Sequence, residues 1–303
     1  MSPAGSLVLA ASPTSWGVDF ADAPDNPPWS RVLDEIGRSG LGRLELGPVG
    51  YLPEDPEVLR PELEARGLEA IGSFVFQPLH DPDRRAEVLE VARRTSRMVA
   101  AAGGRLLVVI DVVSDTRAPT AGRPGDAPRL AGSDWEALRD AVRDVAEVAR
   151  EHDLRPVLHH HAGSYVEFPD ELAALLAAVP AEDLGACLDT GHALYAGADP
   201  AALARELGPR LEHVHLKDVD LGRLDAVRDA GGGFWDAVGA DVFCPIGTGA
   251  VDFAAFGAAL EAIGYEGTAT LEQDLPPGRS ETALDDLLAS VEALRGAGVA
   301  PTP

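Results

Sequence analysis

The chain has 303 residues, with 25 Lys+Arg against 50 Asp+Glu, a formal charge of −25. Apolar residues make up 46% of it and there are only two cysteines, so neither a disordered chain nor a disulfide scaffold is expected. Phosphate backbones are bound by neutralising Lys and Arg, and this polyanion carries no basic run, so no nucleic-acid partner is expected.

Cys187 and Cys244 read as buried thiols of a reducing compartment. The first twelve residues lack the basic start of a secretory leader. No stretch approaches the roughly 18 apolar residues that span a bilayer, so no membrane partner is expected. Together these features point to a cytoplasmic protein.

In chain order, β-type runs fall at 7–12, 43–47, 69–75, 105–110, 155–161, 185–190, 211–218 and 267–274. Helical stretches fall near 30–39, 57–66, 84–102, 133–152, 169–178, 200–207, 252–263 and 280–296. Ser133 and Asp134 are candidate caps for the helix at 133–152, and Gly103–Gly104 stops the helix before the fourth strand. Strict strand–helix alternation without a composition break predicts one α/β domain over 1–303, a (β/α)8 TIM barrel. An open doubly wound sheet would carry a Gly-rich phosphate loop after its first strand, and SPTSWGVDF is not one. The glycines at 231–233 and 247–249 read as turn residues. Two long connections, 111–134 and about 219–251, leave strand C-terminal ends and are candidate lids over a barrel mouth.

The last four strands end in chemistry-bearing residues. Strand five ends HHHAGSYVE (His159, His160, His161, Glu167) and strand six LDTGH (Asp189, His192). Strand seven reads HVHLKD (His213, His215, Lys217, Asp218), and strand eight ends LEQD (Glu272, Asp274). Alternation puts His213 and His215 on one face, and likewise His159 and His161. A ring of carboxylates and imidazoles suits a divalent ion. Mixed ligation favours Mn²⁺, Co²⁺, Fe²⁺ or Zn²⁺ over Mg²⁺ or Ca²⁺. Each residue also has a plain explanation: Asp189 can cap a helix, and a strand histidine can be a hydrogen-bonded core residue.

This constellation resembles the xylose isomerase-like TIM-barrel superfamily, whose metal set is Glu, Asp, His and Glu from the last four strands. Asp189, His215 and Glu272 match three of those places. The segments SPTSWGVDFADAPDNPPW (12–29), VLDEIGRSGLGRLELGPVGYLP (32–53), LHHHAGSYVE (158–167), LDTGHALYAGADP (188–200) and CPIGTGAVDF (244–253) are similar to the inosose dehydratases of inositol catabolism.

The resemblance implies a metal-dependent lyase, with Mn²⁺ or Co²⁺ first among the metals, acting on a small polyol ketone or sugar, and a homo-oligomer. Strand five departs from the pattern, with His159 where many members have Glu. Glu167 is the first candidate for the missing ligand, His159 or His161 the second. The expected metal set is therefore Glu167, Asp189, His215 and Glu272.

The expected catalytic residues are Glu272 and Glu167 as a carboxylate pair, with His161 or His192 as the acid for a departing hydroxyl. Trp16, Glu45, His159, Lys217 and Asp218 are candidate substrate contacts, and His80 is a weaker one. The same apparatus can isomerise or epimerise a ketose. A DNA-repair barrel is disfavoured by the charge, and a non-catalytic cyclitol-binding barrel is the remaining reading.

Overall fold

The computed structural model describes residues 7–276 and 278–300; the leader reading at the N-terminus falls largely outside them. Eight parallel strands close a barrel: β1 (Val8–Ala11), β2 (Arg43–Glu45), β3 (Glu69–Gln77), β4 (Leu106–Asp111), β5 (Arg155–His159), β6 (Gly185–Asp189), β7 (Leu211–Leu216) and β10 (Thr268–Leu271). Each pairs with its neighbours in sequence order, and β10 closes against β1 over four residues. A short antiparallel ribbon, β8 (Asp218–Val219) with β9 (Phe243–Cys244), stands outside the barrel.

The outer helices are α1 (Trp29–Ser39), α2 (Pro56–Glu64), α3 (Arg85–Ala102), α4 (Gly132–Glu151), α5 (Pro169–Ala178), α7 (Pro200–Leu207), α10 (Phe253–Ala262) and α11 (Ala283–Gly296). They bury Leu and Val against the outward residues of the strands in one continuous core. The expected cap of α4 is not used: the helix starts at Gly132, and the Ser133 hydroxyl turns to Asp134 instead. Three more short helices lie over the C-terminal mouth: α6 (Thr190–Tyr195), α8 (Leu221–Asp229) and α9 (Phe234–Gly239).

Inward side chains divide the barrel into two halves. Phe74, Phe76, Val108, Ile110, Val157 and Cys187, from β3 to β6, form an apolar half. On the other side Glu45, His213, His215 and Thr270 form a hydrogen-bonded polar half. A polar core is tolerable only if its members satisfy one another. Here one atom, Glu45 Oε1, accepts from His213 Nε2 at 2.8 Å, His215 Nε2 at 2.9 Å and Thr270 Oγ1 at 2.7 Å.

The two long connections, candidate lids in the sequence, pack together as one composite cap, and the second brings Phe234 and Trp235 to the cavity at the mouth. Residues 219–251 contain α8 and α9, capped by Asp220 and Asp236. Their apolar residues join Ala118 and Ala121 of the β4–α4 connection in a small core of their own. Arginines tie the two connections together. Arg123 donates to the Gly232 carbonyl at 2.8 Å, and Arg228 to the carbonyls of Tyr195 at 2.7 Å and Gly122 at 3.2 Å. Among the described residues no helix is long and apolar enough to cross a membrane. Cys187 and Cys244 are buried and unpaired.

Candidate active site

Three barrel strands bring their ends to one point. Asp189 ends β6, His215 lies near the end of β7 and Glu272 follows β10; all three are buried. One ligand-type atom of each lies within 4.8 Å of the other two. His215 fixes the chemistry. Its Nε2 donates to Glu45; burial opposes a second proton, but the surrounding anions, Glu272 and Glu45 among them, outweigh it and raise the imidazole well above its usual value, so without metal Nδ1 also carries a proton that a metal would replace. That nitrogen lies 3.1 Å from Glu272 Oε2 and 3.9 Å from Asp189 Oδ2. Two carboxylate oxygens and one imidazole nitrogen thus face one another, held together without metal by the proton on Nδ1 and by Lys217, in an arrangement a divalent ion could take over.

Electrostatics follow from burial and neighbours. Burial opposes ionisation of Asp189, but the Lys217 ammonium and the surrounding imidazoles outweigh it and hold the carboxyl well below its usual range. Burial likewise opposes ionisation of Glu272, and His215 and Lys217 bring it down to about 2. Both are therefore carboxylates at neutral pH. His159 is pushed down to about 4 by burial, so it is a neutral imidazole with its Nε2 3.4 Å from Asp189 Oδ2.

A profile of the xylose isomerase-like TIM barrel matches residues 33–295. The chain belongs to that family. Among its relatives, the rhizopine catabolism protein MocC of Rhizobium meliloti is 31% identical over 282 residues, 91% of this chain and 84% of that protein. The inosose dehydratase of Geobacillus kaustophilus is 29% identical over 272 residues, 89% of this chain and 88% of the relative. Two solved structures share the barrel. The IolI protein with a bound zinc atom has TM-score 0.70 at 14% identity, covering 96% of this chain and 97% of its own. D-psicose 3-epimerase from Clostridium cellulolyticum has TM-score 0.69 at 15% identity, covering 97% and 99%.

His159, at the end of β5, joins Asp189 and His192 in a second group of ligand-type atoms. Glu167, the first-ranked candidate for the missing ligand, lies elsewhere. Its Oε2 pairs with Arg117 Nη2 at 3.0 Å and its Oε1 accepts from the Gly122 N–H at 2.5 Å. Glu167 enters none of the ligand-type groups among the described residues. The physical reason is Arg117, a fully buried cation of the cap whose fork is shared by Glu167 and Glu171. An unpaired buried guanidinium is costly, so both carboxylates are drawn to it.

Other expected contacts are also displaced. Trp16 is fully buried and donates its indole N–H to Glu35 Oε2 at 2.6 Å, so it is a core residue. Glu45 lies beneath His215 and orients it. Asp218 accepts four backbone N–H groups, from Val219, Gly247, Gly249 and Val251, and so organises the loop. Gly249 is required there, because a Cβ would fall 2.3 Å from Asp218 Oδ1. His192 is fully buried behind Asp274, with Nδ1 accepting from the Ala162 N–H. His80 pairs with Asp111 at 2.7 Å, at the rim.

A cavity of about 480 Å³, counting its open part, lies above the cluster. His159, His161, Lys217, Glu272, Asp274 and Asp19 line its polar side, and Phe74, Phe76, Ile110, Phe234 and Trp235 its apolar side. His161 donates its Nδ1–H to the Ala162 carbonyl at 2.9 Å, leaving Nε2 as an acceptor.

Sequence reasoning missed Asp19 and undervalued Asp274. Burial pushes Asp19 up to about 8, reinforced by the Asp274 charge. Burial pushes Asp274 up to about 6, against the pull of Lys217. Asp19 sits beside the SWG motif and is the signal that could have been followed. Trp235 lies in the second long connection, where no periodicity marked it.

The donor set suits a first-row divalent ion: two carboxylates, one imidazole in a carboxylate–histidine pair, and His159 beside them. Glu272 Oε1 and the Nδ1 atoms of His159 and His215 are buried without a hydrogen-bond partner. Such orphaned polar atoms are what a bound cation satisfies, in place of a proton at His215 Nδ1.

Proposed function

We propose that this protein is a metal-dependent carbon–oxygen lyase that removes water from a cyclic polyhydroxy ketone of the 2-keto-myo-inositol type. The observation that carries the proposal is the meeting of Asp189, His215 and Glu272 beneath a cavity that also holds two protonatable carboxyls. The near full-length likeness to an inosose dehydratase supports it.

Asp189, His215 and Glu272, with His159, are the residues that would hold the metal. A bound divalent ion supplies positive charge where negative charge develops on the carbonyl oxygen of the substrate. Removal of water needs a base for the proton beside the carbonyl and an acid for the departing hydroxyl. The two aspartates at the cavity wall are pushed apart into those roles. Asp274, ionised above about pH 6, takes the proton at a carboxylate oxygen. Asp19, protonated below about pH 8, gives its proton to the leaving hydroxyl. His161 Nε2 accepts a hydrogen bond from a substrate hydroxyl and orients the ring. His192 positions Asp274 from behind.

The cavity also favours an uncharged substrate. Among the described residues Lys217 is the only lysine or arginine that lines it, and it faces three carboxylates. A phosphorylated sugar would meet acidic side chains there.

A second reading, a ketose or inosose isomerase or epimerase, draws on the likeness to solved epimerases. Reaction of the metal-loaded protein with 2-keto-myo-inositol separates the two. Mass spectrometry of the product shows loss of one water for the lyase and an unchanged mass for the isomerase or epimerase.

A further inference from the structure

Lys217 stands where a cation is needed. Its side chain is 3% exposed, and Nζ lies 3.2 Å from Asp189 Oδ2, 3.1 Å from Glu272 Oε2 and 2.9 Å from Asp274 Oδ1. An ammonium has three N–H bonds, and three carboxylates and His192 Nε2, at 3.2 Å, are in reach. Two of those oxygens, Asp189 Oδ2 and Glu272 Oε2, are the same atoms that face His215 Nδ1.

The chain seats this lysine closely. Its backbone N–H donates to Thr190 Oγ1 at 2.9 Å, and the Thr190 hydroxyl returns a bond to the Lys217 carbonyl at 2.7 Å. Residue 191 is glycine, and a Cβ there would fall 2.5 Å from Lys217 Cβ.

We propose that Lys217 is a built-in counter-cation that holds Asp189 and Glu272 in ligand geometry without metal and competes with the metal for them. The inference rests on the ligand set assigned above. A carboxylate oxygen that donated to a divalent ion would have less charge to offer an ammonium, and two cations sharing the same carboxylates would repel each other. Asp274 resolves the conflict. It makes the shortest of the three contacts and is not one of the three converging ligands, so it retains the ammonium once metal arrives. The protein therefore gives up metal affinity in exchange for a preformed site.

The test is a Mn²⁺ titration of the whole protein, read by the electron paramagnetic resonance of free Mn²⁺. It compares the native chain, Lys217→Met and Asp274→Asn. Lys217→Met should bind Mn²⁺ at least tenfold more tightly, and Asp274→Asn several-fold more weakly, because the ammonium then leans wholly on the ligands. The melting temperature of metal-free Lys217→Met should fall, and saturating Mn²⁺ should restore it. Folding is checked by circular dichroism, with Mn²⁺ present where the metal-free variant is unstable.

Binding by Lys217→Met that equals or falls below the native affinity, in folded protein, overturns the competition while leaving the metal site intact. Tighter or unchanged binding by Asp274→Asn overturns the role given to Asp274. Absence of Mn²⁺ binding in both the native chain and Lys217→Met overturns the inference together with the ligand set. Binding by Lys217→Met alone supports the competition in its strongest form.

Discussion

His215 is held from below by Glu45, its Nε2 2.9 Å from Glu45 Oε1, while the opposite ring nitrogen faces Glu272 at 3.1 Å. A carboxylate behind an imidazole fixes its tautomer and raises its basicity toward a ligand. The same glutamate also receives His213 and Thr270, so one buried charge anchors β2, β7 and β10. Burial opposes its ionisation, and the two histidines more than offset that, holding Glu45 well below the ordinary carboxylate range.

Glu45→Gln therefore weakens metal binding without removing a ligand. The expected loss is about 10–100-fold in Mn²⁺ affinity, the usual effect of removing such a supporting partner. Calorimetric titration of the folded variant checks it. An unchanged affinity would show that His215 does not depend on this carboxylate.

Glu167 and Glu272 should separate cleanly. Glu167 serves Arg117, so Glu167→Gln should keep Mn²⁺ affinity near native while Glu272→Gln loses most of it. Conversely, Arg117→Met leaves Glu167 and Glu171 without their buried cation and should cost about 3–5 kcal/mol of stability, measured by urea unfolding.

Turnover should follow a bell-shaped pH profile. The rising limb near pH 6 reports loss of the Asp274 proton, and the falling limb near pH 8 loss of the Asp19 proton. Because the two carboxyls interact, the limbs belong to the pair. Asp19→Asn should lower kcat by roughly 10²–10⁴-fold and abolish the alkaline limb. A retained alkaline limb would assign the acid to another group.

Stability carries its own pH signature at the rim. Burial draws the His80 imidazole down, but its bond to Asp111 and the Asp111 charge outweigh burial and raise it above 6.5. The folded protein then holds this proton more tightly than the unfolded chain. The contribution is complete below about pH 6.5 and is lost as pH rises through the folded value. Asp111→Asn should remove this slope from urea midpoints measured between neutral and alkaline pH.

The barrel was legible because each strand is a short apolar run followed by a helix with a glycine stop, as at Gly103. The convergence of Asp189, His215 and Glu272 was legible because period-two alternation and strand ends leave little freedom in a closed barrel. Glu167 was not, since it lies eight residues beyond β5 in a loop whose path is set by a cation fifty residues away in sequence. Trp16 misled because an aromatic near a strand end looks the same whether it faces the mouth or the helix layer, and Glu35 decided the matter. Asp19 escaped because its significance comes from Asp274 and Glu272 across the barrel, which nothing local encodes.

The most direct test of the ligand assignment is anomalous diffraction at the manganese edge from crystals grown with Mn²⁺. One strong peak is expected in bonding contact with His215 Nδ1, Asp189 Oδ2 and Glu272 Oε2. A peak bound at Glu167, or none at the three converging residues, would contradict the assignment.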